Sequence, residues 1–355
     1  MNKKEVLSIQ YMRGIAALLV VFYHTKWFLD GAYAQNNLGT ILFGFGAFGV
    51  DLFFVISGFI ICLSTEKTEK HAFINFFIRR FFRIYPLLII SVISFFFLIK
   101  NESSYTTLFK SLIPIHIDYS KGSPFFGYNL LDTVWTISYE IAFYILFGLS
   151  ILISKKYRVI ISIILVLTCF ILSSIFFNNE VYLNAYLKSS NSNNYNIFSL
   201  FYSPMFIDFI YGILIYIVYK NFNVKSLIFK MSYPYFIILL MSLIISQTSI
   251  FNGHGPLKWG AISAFIILLS VCYEKNNGFW YCNPLKYLGD ISYSIYIIHV
   301  IILRCIYKYD TFLFPNISGI SRLIIVTSLI IIASILTHEL IEKKAITLGK
   351  KLLRK

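Results

Sequence analysis

The sequence predicts an all-α integral membrane protein, a bundle of about ten transmembrane helices with both termini in the cytoplasm and no soluble domain. Three observations carry that prediction. Of 355 residues, 58% are hydrophobic and 13% charged, too apolar for a soluble globular chain. Stretches of the roughly 20 apolar residues needed to cross about 30 Å of hydrocarbon as helix recur along the whole length. Between them, basic residues gather on alternate sides, as expected when cytoplasmic loops retain Lys and Arg.

The spans are read at 8–28, 39–63, 84–99, 129–153, 159–177, 198–219, 234–250, 257–273, 290–307 and 320–340. The seventh is short and starts just after Pro234. With the N-terminus inside, 21 Lys and Arg residues fall on the inner side and nine on the outer side or outer helix ends, while Arg13 lies within the first span. Nine or eleven spans would export the basic C-terminal segment. The first span is read as a retained helix, because no small-x-small cleavage site follows it. Residues 1–355 are therefore read as one membrane-embedded domain.

The net charge of +15 does not point to nucleic acid, since the basic residues are scattered over loops between helices. Five cysteines without a CxxC pair indicate neither a disulfide framework nor a zinc site, and no metal is expected. The stretch SSNSNNYN, Ser189 to Asn196, reads as a flexible outer loop. No internal repeat is evident, which counts against transporters built from two related halves.

Polar groups inside a span are costly unless paired or facing a cavity, so each is a functional candidate. Arg13 and His24 are eleven positions apart, about three turns, and share one face roughly 16 Å apart in depth. A long ligand entering from the cytoplasm touches both; alternatively Arg13 snorkels to lipid phosphates and His24 caps the helix end. Asp51 lies in the second span among Gly44, Gly46, Gly49 and Gly58. The glycines suit close helix packing, and the lone carboxylate needs a donor, with Arg13 or His24 as natural partners.

Arg79, Arg80 and Arg83 precede Pro86 and form one cluster at i, i+3 and i+4 spacing. Guanidinium groups suit phosphate, and a Phe-rich basic helix also suits anionic lipid. In the fourth span Thr133, Thr136 and Glu140 share a face, with Trp135 and Tyr139 on another. Glu140 reads as a partner for a buried cation or as an acid/base group. Tyr293, Ser294 and His299 in the ninth span read first as hydrogen-bonding groups of the bundle.

Taken together these pieces resemble the integral membrane acyltransferase family 3 over nearly the whole chain. The resemblance rests on the Arg13 to His24 spacing, GVDLFFVISGF in the second span, RFFRIYP after it, WTISYE in the fourth span, and LGDISYSIYIIH near the end. It implies an O-acyltransferase, usually an acetyltransferase, drawing on cytoplasmic acetyl-CoA and modifying a bacterial surface polysaccharide such as O-antigen, capsule or exopolysaccharide, directly or on a lipid-linked oligosaccharide. The protein would be multi-pass in the bacterial inner membrane. Arg13, Arg79, Arg80 and Arg83 would bind the acyl-CoA, and His24 would be the catalytic base. Glu140 or Asp51 would orient the imidazole, and Trp135, Ser138 and Tyr139 would support the site.

Many members carry a Glu-Glu or Glu-x-Gln pattern where this chain reads YEIAFY, so only Glu140 is carried over there. Many also carry an additional C-terminal hydrolase-like domain; here about fifteen residues follow the tenth span, and acceptor handover by such a domain is not expected. One continuous conduit is expected, with guanidinium at its inner mouth and imidazole deep within. A transporter or flippase of a glycan or lipid-linked sugar is the rival class, and a non-catalytic export protein a third. RFFRIYP argues against the transporter, because a sugar transporter has no need of a phosphate-binding arginine cluster that a CoA enzyme requires.

Overall fold

In a chain this apolar, backbone polar groups must be satisfied within each segment, and helix is the local solution. The computed structural model describes residues 5–67, 69–99, 104–186, 195–221, 232–248, 250–309 and 317–353, and among these there is no strand. Residues 189–194 of the asparagine-rich stretch lie outside the described residues, as do the basic residues Lys3, Lys4, Lys100, Lys188, Lys225, Lys230, Arg354 and Lys355.

The helices are α1 (Leu7–Thr25), α2 (Leu38–Phe43), α3 (Phe48–Ser64), α4 (Ala72–Leu98), α5 (Tyr105–Leu112), α6 (Val134–Ile153), α7 (Arg158–Asn178), α8 (Phe206–Asn221), α9 (Ser232–Ile245), α10 (Trp259–Asn277), α11 (Asn283–Asp290), α12 (Ser292–Lys308), α13 (Gly319–Thr337) and α14 (Lys343–Leu352). Among the described residues, six segments are long and apolar enough to cross a membrane: Leu7–Phe28, Leu38–Ser64, Ala72–Leu98, Val134–Ile153, Arg158–Asn178 and Gly319–Leu352. The pair α11 and α12, bent by 66° where they join, makes a seventh if the two together form one broken span rather than a re-entrant loop. This is a multi-pass membrane protein. Its lipid-facing surface is plainest on α7, where Ile160, Ile164, Leu167, Ile171 and Ile175 are exposed at helical spacing.

Several spans read from the sequence take a different form. The second is interrupted by a 3-10 turn, Gly44–Ala47, before α3 begins. The sixth opens as a 3-10 turn, Ile197–Tyr202, leaving α8 only 16 residues, and α9 has 14. The third lengthens to the 27 residues of α4, with Pro86 inside it, so the arginine-bearing segment and the apolar segment are one rod. The tenth runs on to Leu352 through a π-turn, His338–Glu342. Hydropathy registers how much apolar chain is present, and backbone turns inside that chain leave it unchanged.

The site forms around α3, which meets its neighbours backbone to backbone. A Cβ on Gly49 would lie 2.4 Å from the Ala16 carbonyl oxygen of α1, and one on Gly58 would lie 2.1 Å from the Phe209 carbonyl oxygen of α8. Helices α1 and α12 run side by side in the same direction. Near their starts Arg13 Nη2 donates to Ser292 Oγ at 3.0 Å, and further along the His24 and His299 rings are 5.2 Å apart.

Candidate active site

Two cavities follow one another along the α1–α12 pair. The first, the arginine chamber, has a volume of about 250 Å³ and is lined by Arg13, Arg80, Arg83, Glu140, Tyr144 and Ser292, among others. Arg80 and Arg83, three residues apart, lie on the bundle face of α4. Arg80 Nη2 donates to Ser64 Oγ at 2.8 Å, and its guanidinium lies over the Tyr144 ring at 4.9 Å. Arg83 is paired with the buried Glu342 at 2.9 Å. The π-turn presents Glu342 inward, where Ser294 Oγ donates to it at 2.7 Å and His338 Nδ1 lies at 2.9 Å. Among the described residues, the Arg13 guanidinium donates to neutral oxygens, those of Ser292 and Gln10. Among the described residues, neither Arg13 nor Arg80 has a carboxylate at ion-pair distance. Glu140 accepts from Ser57 Oγ at 3.2 Å and from the Tyr144 hydroxyl.

The second cavity, the histidine chamber, has a volume of about 500 Å³ and is lined by His24, Phe125, Asp132, Trp135, His254 and Arg304, among others. His24 is enclosed by the bundle yet keeps an exposed ring, because its free face is the cavity itself. His254 Nδ1 lies 2.6 Å from Asp51 Oδ2, and the Gly255 N–H donates to Asp51 Oδ1 at 2.9 Å. Asp51 is wholly buried, and these contacts give its carboxylate the partners that burial demands. Arg304 Nη2 donates to Asp132 Oδ2 at 2.6 Å.

Val50 and Tyr296 line both chambers. The Tyr296 hydroxyl lies 2.8 Å from Thr136 Oγ1, and its ring packs against Phe53 at 5.7 Å. The expected single conduit is here two chambers in series, meeting at the side chains of Val50 on α3 and Tyr296 on α12.

Over residues 6–339 the chain matches the family described as an acyltransferase domain. The chain belongs to acyltransferase family 3. Its relatives include BcsY of Komagataeibacter xylinus, whose name describes a membrane-bound transacylase, 23% identical over 96% of this chain and 83% of that protein. The peptidoglycan O-acetyltransferase OatA of Listeria monocytogenes is 26% identical over 42% of this chain and 21% of its own length. A protein of Acidianus two-tailed virus named as an acetyltransferase, ORF330, is 24% identical over 85% of this chain and 84% of its own. No solved structure matches.

In this family 3 acyltransferase the residues singled out from sequence divide between the chambers. Arg13, Arg80, Arg83 and Glu140 line the first, and His24 and Trp135 line the second. Arg79 leaves the expected cluster. It points 100° away from Arg80 on α4 and pairs with Glu69 at 3.0 Å, in a small separate cleft with Lys155 and Arg158. Asp51 pairs with His254 rather than with Arg13 or His24. Glu140 lines the other chamber from His24, so neither carboxylate touches that imidazole. Ser138 Oγ donates to the Pro114 carbonyl at 2.7 Å and the Tyr139 hydroxyl to the Pro124 carbonyl at 2.8 Å, tying the segment between α5 and α6 to α6.

The ninth-span residues make bundle hydrogen bonds: Tyr293 to the Ile84 carbonyl, Ser294 to Glu342 and His299 to the Ile295 carbonyl. Sequence reasoning missed His254, Asp132, Arg304 and Glu342. The one local signal was a histidine flanked by glycines in NGHGPL. The others acquire meaning only from partners far along the chain.

Proposed function

We propose that this family 3 acyltransferase is an O-acetyltransferase of the bacterial inner membrane, moving acetyl from cytoplasmic acetyl-CoA to a hydroxyl of a surface polysaccharide. The observation that carries this reading is the series of two chambers. Arg13 and Arg80, without carboxylate partners among the described residues, line one, an open imidazole lines the next, and the two chambers follow one another along α1 and α12. The names of the relatives, transacylase and O-acetyltransferase, point the same way.

The topology that fits is ten spans, both termini cytoplasmic and one domain over residues 1–355. The uneven spread of Lys and Arg supports it and turns the arginine chamber toward the cytoplasm. Arg13 and Arg80 then hold the phosphates of acetyl-CoA through charge-assisted hydrogen bonds, with Arg83 beside them. The pantetheine arm, longer than about 15 Å when extended, reaches from there toward His24. His24 removes the proton of a sugar hydroxyl as that oxygen attacks the thioester carbonyl carbon. A C–O bond forms, the C–S bond breaks, and the thiolate leaves with the proton that His24 took. Trp135, Phe125 and Tyr128 give the acceptor chamber ring faces on which a sugar can lie.

Purified protein supplied with radiolabelled acetyl-CoA and a glycan acceptor tests the reading. Label appearing as an acetyl ester is expected. Failure of label to reach any glycan or water, together with no CoA binding, overturns it in favour of transport. Compositional analysis of surface glycans with and without the gene then identifies the acceptor by its lost acetyl esters.

A further inference from the structure

Granting the acetyl transfer just described, we propose that Tyr296 is a catalytic residue whose phenol holds the thioester carbonyl oxygen as it becomes an oxyanion. Among the described residues two line both chambers, Val50 and Tyr296, and of these Tyr296 alone carries a polar side-chain group. Its position along α12 supports the same assignment. Ser292, four residues earlier, touches Arg13, and His299, three residues later, packs on His24. At about 1.5 Å per residue Tyr296 stands roughly 6 Å above the first level and roughly 4.5 Å below the second. A donor held by arginines on one side and a hydroxyl deprotonated by His24 on the other must meet at that boundary.

Negative charge develops there on the carbonyl oxygen, and a preorganised donor is what lowers its cost. The Thr136 hydroxyl is already engaged, donating to the Thr133 carbonyl at 3.1 Å. The Tyr296 hydroxyl lies 2.8 Å from the Thr136 oxygen and 3.5 Å from the Thr133 carbonyl, so both acceptors within reach of its proton are neutral. The Tyr296 proton thus rests on a weak neutral acceptor and turns to a stronger one by rotation about its own C–O bond. In the step itself the acceptor oxygen bonds to the carbonyl carbon and the π electrons move onto the carbonyl oxygen, held by Tyr296. That oxyanion then collapses, expelling the thiolate, which takes its proton from His24. Tyr296 keeps its proton throughout.

Tyr296→Phe removes only the hydroxyl and keeps the ring that packs on Phe53 and divides the chambers. The expected result is a fall in kcat of about a hundredfold, the usual cost of one lost oxyanion donor, with the KM for acetyl-CoA within about twofold of wild type. Wild-type kcat in the Phe variant, or a rise in KM alone, overturns the proposal. Should the Phe variant fail to fold, fluorotyrosine at position 296 supplies the test, since it keeps the shape and donates more strongly. Its kcat is expected to equal or exceed wild type, and a fall overturns the proposal. If the wild-type protein moves no label from acetyl-CoA, the acetyl-transfer reading fails and this proposal with it. Turnover by wild type beside an undiminished Phe variant removes Tyr296 alone.

Discussion

The arginine chamber and the histidine chamber lie end to end along α1 and α12 but are built by different means. The first takes its charged groups from helices: Arg13 from α1, Arg80 and Arg83 from α4, Glu140 from α6, and Glu342 from the π-turn. Long cationic side chains there rest on neutral oxygens or one carboxylate, an arrangement with positive charge to spare. The second draws Phe125, Tyr128, Asp132 and His254 from connections between helices, and its polar groups are held in pairs, Asp132 with Arg304 and Asp51 with His254. The contrast separates the two halves of the chemistry. On the proposed reading, a donor common to many enzymes would be met by a helix-borne cation set and the acceptor by loops, where specificity changes most easily.

Breaking the comparison begins with the residue of largest expected effect. His24→Ala should abolish acetyl transfer while the amount of protein in the membrane is unchanged, read by immunoblot beside the labelled-acetyl assay. Retained activity would remove the base from the histidine chamber.

Changing Arg80 and Arg83 together to Gln should raise the KM for acetyl-CoA by at least about tenfold, because each charge-assisted hydrogen bond is worth roughly 1.5–3 kcal/mol. The KM for acceptor should stay close to wild type. Asp51→Asn is the mirror test. It weakens the hold on His254 and its loop, so the acceptor KM should rise by about tenfold and the acetyl-CoA KM hardly at all. Equal effects on both substrates in either variant would dissolve the distinction between the chambers.

The smallest effect sharpens the first chamber from within. Arg79→Gln should alter the acetyl-CoA KM by less than about twofold, because Arg79 pairs with Glu69 in a separate cleft. Surface ion pairs of this kind contribute little.

Much of the helical content was legible because hydropathy and periodicity are local properties. Arg13 and His24 on one face, and Arg80 with Arg83 on another, follow from 100° per residue. The same arithmetic placed Arg79 with them, and it failed because a long side chain chooses its partner by what packs nearby, here Glu69. Breaks inside apolar runs, such as the turn at Gly44–Ala47 and the bend between α11 and α12, leave hydropathy unchanged and went unseen.

The sequence by itself determined that this chain is helical, built for a membrane, and supplied with guanidinium and imidazole groups at set depths. Tertiary structure alone decided that Asp51 meets His254 across 203 residues, that Asp132 meets Arg304 across 172, and that Tyr296 stands between two chambers. The physical reason is range. Helix formation answers to neighbours within a turn or two, whereas a buried carboxylate is satisfied by whichever donor the packed backbone brings within about 3 Å.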